Sequence, residues 1–139
     1  MTKSEPVIAE GRAPALANYP HARRVGDLLF VSGVSCRRPD HSHVGVEVDA
    51  DGTIHRDVAV QTRAVIENIE AILQVAGGEL ADLVDLTVFL IDMADYGEFN
   101  RAYNEYFDAE TGPARTTVAV HQLPHPNLAI EIKAVAHLG

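Results

Sequence analysis

Arg115 and Glu131 are the residues best suited to acid–base chemistry on a small anion, because each is a charge set among apolar neighbours. They lie in GPARTTVAVHQLPHPNLAIEIKAVAHL, residues 112–138, which reads as two short strands around a Pro-rich turn. Alternation puts Thr116, Val118 and Val120 on one face of the first strand, and Leu128, Ile130, Ile132 and Ala134 on one face of the second. The opposite faces carry Arg115, Thr117 and His121, and Glu131 and Lys133. An arginine is a rigid two-donor fork for a carboxylate, and a glutamate held in mid-strand is a base at a fixed position. The competing explanation is a structural ion pair between neighbouring strands. An exposed pair would contribute little, and a buried one would be unfavourable unless its geometry were excellent. Residue types alone leave both explanations open.

Other chemistries find less support. His41-x-His43 falls in a loop, and His121 and His125 flank a turn, but no HExxH or paired CxxC accompanies them, so no metal is expected. DADG at 49–52 hints at a calcium loop, yet its twelfth position is Val60 rather than glutamate, which makes it a turn. VSGVSC supplies Ser32, Ser35 and Cys36 near a strand end without the GxSxG elbow, so Ser32 is expected to hydrogen-bond rather than attack. Cys36 beside Arg37 and Arg38 invites a lowered pKa, but an inert thiol is the favoured reading.

The chain's 139 residues, 47% of them apolar, suit a single packed domain spanning 1–139, with residues 1–16 poorly ordered or extended. No secretory h-region and no membrane-length apolar run is seen, and one cysteine fits a reducing compartment, so a cytoplasmic protein is expected. A net charge of −9 argues against a nucleic-acid partner. The charge is uneven, however: residues 1–38 hold six Lys/Arg against three Asp/Glu, and arginines outnumber lysines nine to two. Converging arginines would let an acidic protein take a small anion.

The elements that must position these residues follow from periodicity. GDLLFVSGV (26–34) is a buried strand bounded by glycines, and HVGVEVDADGTI is a hairpin turning at Asp51-Gly52. From 57 to 76 the period becomes helical, with Thr62, Val65, Ile66, Ile69, Ile72 and Leu73 on one stripe ending at Gly77-Gly78. LVDLTVFLID (83–92) is apolar on both faces, as in a central covered strand, and 95–107 returns to helix with Phe99, Tyr103, Tyr106 and Phe107 aligned. The expected class is α+β, a mixed sheet with two helices packed on one face. A second copy of the chain is the expected cover for the sheet's other apolar face.

GDLLFVSG, TRAVIENIEAIL, DLVDLTVFLIDMADYGEFNRAYNEYF, GPARTTVAV and IEIKAVA together resemble the Rid/YjgF family of imine and enamine deaminases, over about residues 19–137. Within it, GDLLFVSGVSCRRPD and RTTVAVHQLPHPNLAIEIKAVA are similar to the 2-aminomuconate deaminases. The resemblance implies a chorismate-mutase-like fold closed into a homotrimer or a hexamer, with the sheets forming a central barrel and sites in clefts between subunits. It implies that Arg115 binds the substrate carboxylate and Glu131 positions or activates water. Tyr19, Ser32 and Asn100 match further site positions, with the backbone at Gly33 and Thr117 close to the ligand. Thr117 stands where cysteine is common in the family, so no thiol chemistry is expected there, and the turn before Glu131 is one residue longer than in shorter relatives.

The implied reaction is hydrolytic deamination of 2-aminomuconate, needing neither metal nor redox cofactor. A dicarboxylate demands a second anion receptor besides Arg115, and the candidates are Arg37 and Arg38, with Pro39 holding Arg38 extended. His121, on Arg115's face, is the next candidate for activating water. The alternatives are a broad deaminase of 2-aminoacrylate and similar imines, and a non-enzymatic binding or regulatory module or weak ribonuclease.

Overall fold

The computed structural model describes residues 3–139. Strands β1 (Glu5–Val7), β2 (Ala22–Val25), β3 (Leu28–Val34), β6 (Leu83–Leu90), β7 (Ala114–Ala119) and β8 (Ile130–His137) form a six-stranded sheet in the order β1-β2-β3-β8-β6-β7. The remaining strands, β4 (Val46–Val48) and β5 (Ile54–Arg56), pair as a separate hairpin closed through Asp51 and Gly52. Helices α1 (Val58–Val75) and α2 (Tyr96–Tyr103) pack on one face of the large sheet. Only β6 and β7 are parallel, because α2 carries the chain back along the sheet between them. The sheet is therefore mixed, as the α+β reading expects. No helix among the described residues is long and apolar enough to cross a membrane.

Local signals explain the element ends. Asp57 caps α1 by accepting from the Val60 amide at 3.1 Å, and Gly77, at φ 87°, lets the chain leave the helix in a left-handed turn. Gly26, at φ 57°, makes the two-residue turn that joins β2 to β3. One face of α1 buries Val58, Thr62, Val65, Ile66, Ile69, Ile72 and Leu73 against Leu29, Val31, Leu86, Val88, Leu90, Ile130 and Ile132 of the sheet. Buried Gln61 ties the start of α1 to the segment before β8, accepting from the Ala129 amide at 2.8 Å and donating to the Asn127 carbonyl at 2.8 Å. Both ends of this amide are satisfied, as burial requires.

Two expectations are corrected. The second helix stops at Tyr103 rather than continuing to 107. Beyond it the amides of Glu105 and Tyr106 reach back three residues, to Ala102 and Tyr103, so the chain tightens into turns while Tyr106 and Phe107 still pack on the core. The two strands of residues 112–138 are also not neighbours, because β6 lies between β7 and β8. Alternation was right within each strand but could not say which face each presents. Arg115 is in register with Leu86 and Thr117 with Val88, on the helix-covered face, whereas Glu131 is in register with Phe89 on the opposite face.

That opposite face has no cover among the described residues. It carries Val25, Leu28, Phe30, Phe89, Val118 and Val135, of which Leu28, Phe30 and Val118 are 38–40% exposed. Strand β1 forms the far edge of the sheet, paired with β2.

Candidate functional site

The first group of residues surrounds Arg115 on edge strand β7. Tyr96, Phe99 and Tyr103 recur on one side of α2, and their rings surround the guanidinium, with centroids 5.8, 4.9 and 4.6 Å from its central carbon. Arg115 also donates from Nη2 to the Tyr96 hydroxyl at 3.1 Å. Ring faces attract a cation without neutralising it, so the cage orients the fork and leaves its charge available. No acidic side chain forms an ion pair with Arg115 among the described residues. Burial raises the Tyr103 phenol above its ordinary pKa, against a smaller lowering by Arg115, so the ring stays neutral. Thr117, two residues along the same face, holds its hydroxyl buried without a hydrogen-bond partner. Asn100, half-buried on α2, also makes no side-chain hydrogen bond among the described residues.

The second group lies where β3 ends and β8 begins. A β-bulge between Val31 and Val34 shifts the β3–β8 register and brings Gly33 against Glu131. The approach is so close that a Cβ on residue 33 would lie 2.9 Å from Glu131 Oε2. Glu131 is half-buried, has no cationic partner among the described residues, and has its pKa raised by burial. Ser32 donates from Oγ to the Pro20 carbonyl at 2.8 Å and from its amide to the His21 carbonyl at 3.0 Å, which fixes the Tyr19–Pro20 segment over the bulge. Both the hydroxyl and the amide of Ser32 are thus engaged with the backbone of residues 20 and 21. Tyr19, Ser32, Gly33 and Arg37 line one cavity together with Arg12, His21 and Asn68.

The structure separates the two arginines that follow β3. Arg37 lines the cavity, while Arg38 turns back into its own loop and donates to the Ser42 hydroxyl and the His43 carbonyl. His121 is exposed in the bend beyond the last residue of β7, outside the strand alternation that suggested it shares Arg115's face. Cys36 is buried, donates to the Val44 carbonyl, and has its pKa raised chiefly by burial, as suits an inert thiol. His43 and His125 stack at 4.4 Å; burial above all, then the charges of His125, Arg37 and Arg38, lowers the pKa of His43.

Arg115 and Glu131 therefore face opposite sides of the sheet, two strands apart, which is about 10 Å laterally. An ion pair between them within one chain is ruled out. Each is an unneutralised charge held in place by its surroundings, one by an aromatic cage and the other by a bulge.

Sequence reasoning took the aromatic stripe of α2 as core packing alone and overlooked its grip on Arg115. The spacing 96, 99, 103 was visible, but nothing local showed that an arginine from another element enters it. Arg12 was overlooked as well, although it belongs to the basic N-terminal excess.

A small mixed sheet with two helices on one face, carrying an arginine on its edge strand and a glutamate on its last, defines the class. The chain matches the family described as endoribonuclease L-PSP over residues 10–138. The 3-aminoacrylate deaminase RutC of Acinetobacter baylyi is 40% identical over 136 residues, covering 96% of this chain and 98% of that one. A RutC family protein of Pyrococcus abyssi is 35% identical over 133 residues, 96% of each. The crystal structure of the YjgF gene product from E. coli superposes with a TM-score of 0.78 at 31% identity, covering 96% of this chain and 98% of that one. The chain belongs to this family, the YjgF/Rid proteins.

Proposed function

We propose that the protein is a hydrolytic deaminase of carboxylate-bearing enamines and imines, with sites shared between copies of the chain. One observation carries this reading: Arg115 and Glu131 are both unneutralised, yet β6 and the sheet itself keep them apart within one chain. A substrate touching both must lie between two chains. The uncovered apolar sheet face supports such an assembly, for which we adopt a homotrimer. The buried, unpartnered Thr117 hydroxyl beside Arg115 is a further group that a ligand or neighbouring chain would satisfy.

The chemistry follows from the two charges. Arg115 holds the carboxylate on the nitrogen-bearing carbon. Protonation of the enamine on carbon gives the imine, and Glu131 takes a proton from water as its oxygen bonds to the imine carbon. The C–N bond then breaks, ammonia leaves with a proton, and a 2-oxo acid remains. A carboxylate with a raised pKa is a stronger base once ionised, which suits this step. The RutC relative is named for deaminating 3-aminoacrylate, itself a carboxylate-bearing enamine.

As substrate we favour 2-aminomuconate, whose second carboxylate would use the arginine that lines the cavity, Arg37. Ammonia release from 2-aminomuconate generated in situ, set against 2-aminoacrylate, tests this directly. Faster turnover of the dicarboxylate is expected. Preference for 2-aminoacrylate would make the protein a broad short-chain deaminase, and ammonia from neither would overturn the deaminase reading.

A further inference from the structure

The cavity beside Glu131 has a composition that the reaction at Arg115 and Glu131 does not require. Its walls are Arg12, Tyr19, His21, Ser32, Gly33, Ser35, Arg37 and Asn68 with a few apolar residues, and no aspartate or glutamate lines it. In a chain of net charge −9, two guanidiniums facing one acid-free cavity are a pronounced local excess of positive charge. Arg63 is neutralised by Glu105 and Arg101 by Glu98, whereas Arg12 and Arg37, like Arg115, have no acidic partner among the described residues.

Both side chains are held by neutral groups that leave donors to spare. Arg12 gives one N–H to the Asn68 side-chain oxygen, and Asn68 is itself anchored by donating to the Ser35 carbonyl at 3.0 Å. Arg37 gives one N–H to the Pro14 carbonyl and one to His41 Nδ1, the latter at 2.8 Å. Of five N–H donors each, Arg12 keeps four and Arg37 three. The segment carrying Arg12 is fastened by His21, whose Nδ1 accepts from the Ala9 amide at 3.0 Å while Nε2 donates to the Ala13 carbonyl at 2.8 Å. The cavity, about 70 Å³, exceeds several times the roughly 10–15 Å³ that one water needs and so has room for a carboxylate and its adjoining carbons. Gly33 forms part of its wall, and a Cβ on that residue would lie 2.9 Å from Glu131 Oε2, so Glu131 adjoins the cavity's rim without lining it.

We infer that Arg12 and Arg37 together form an anion subsite for the distal carboxylate of a dicarboxylic substrate, with the N-terminal segment supplying the first arginine. This deepens the deaminase reading and rests on it for the identity of the reacting end. Arg38 has no part in it.

Two measurements test the subsite. In steady-state deamination, Arg12→Ala and Arg37→Ala should each raise KM for 2-aminomuconate about tenfold with kcat little changed, and leave 2-aminoacrylate kinetics as they were. Arg38→Ala should alter neither. Equal losses on both substrates, or none on either, overturn the subsite. Calorimetry with adipate, an unreactive six-carbon dicarboxylate, reads the subsite apart from the chemistry. Adipate should bind the parent about tenfold more tightly than it binds Arg12→Ala, and more tightly than hexanoate binds the parent. If adipate binds the parent and Arg12→Ala alike, the subsite is wrong even where ammonia is released. If adipate discriminates while no enamine is turned over, the subsite stands and the deaminase reading falls.

Discussion

A guanidinium gripped by three aromatic rings and a carboxylate wedged against a glycine behave differently when altered, and their variants separate their roles. Arg115→Lys keeps a cation but loses the planar fork that faces Tyr96, Phe99 and Tyr103. One charge-assisted hydrogen bond is worth about 1.5–3 kcal/mol, so kcat/KM should fall about ten- to a hundredfold in steady-state assays. Near-normal kcat/KM would make Arg115 a packing residue. Glu131→Gln should abolish ammonia release while leaving the protein at least as stable. The sign follows from the raised pKa: between the unfolded value, about 4.3, and the higher folded value the native state binds the extra proton. Stability therefore falls as pH rises through that window, and the deficit persists above it. Urea titrations at fixed protein concentration should show the parent losing stability relative to Glu131→Gln between pH 4 and neutrality. A constant difference across that range would place the glutamate in ordinary solvent.

At the scale of elements, the bulge in β3 does what regular pairing could not. It offsets Gly33 so that its bare Cα faces the Glu131 carboxylate. In Gly33→Ala the new methyl would meet Oε2 at 2.9 Å and Cδ at 3.0 Å, both at the end of a side chain that can swing aside. The variant should fold, with a thermal midpoint within a few degrees of the parent, while ammonia release drops about tenfold or more because the base is displaced. A fully active Gly33→Ala protein would show that Glu131 needs no fixed position. Helix α2 plays the equivalent part for Arg115. Its aromatic face serves the core through Phe99 and aims the arginine through all three rings, so packing and positioning share one stripe.

For the whole molecule, the separation of Arg115 from Glu131 makes a prediction that no single-site variant can. If one site takes its arginine from one chain and its glutamate from the next, the weakened Arg115→Lys and the inactive Glu131→Gln proteins should gain ammonia release when co-refolded. Mixed assemblies would contain some interfaces bearing both native residues. Restored activity well above the sum of the two variants is expected, together with sedimentation at three times the chain mass or a multiple of it. Absence of any recovery from demonstrably mixed oligomers would place both residues of a site in one chain, against the geometry. Phe30 and Val118 provide the companion control, since a charge placed on this bare face should dissociate the assembly and remove activity together.

Periodicity by itself determined the class of this protein: a glycine-bounded strand, a long helix over 57–76 stopped at Gly77, a strand at 83–92 apolar on both faces, and an arginine and a glutamate standing out of alternating strands. These are local signals, since a residue's neighbours three or four positions away on a helix, or two along a strand, are set by backbone geometry. The end of α2 at Tyr103 was less legible, because the aromatic stripe continues past the point where three-residue backbone hydrogen bonds replace helical ones. Apart from the β4–β5 hairpin at Asp51-Gly52, which strands are neighbours was not legible. The insertion of β8 between β3 and β6 is a pairing over long sequence separations, and it decides that Arg115 and Glu131 lie on opposite faces. The same holds for the cavity, where Arg12 and Arg37 line one wall because His21 and Asn68 fasten the N-terminal segment there. Alternation reports the relative faces within one strand, but only the packed sheet, with its helices on one side, says which face looks inward.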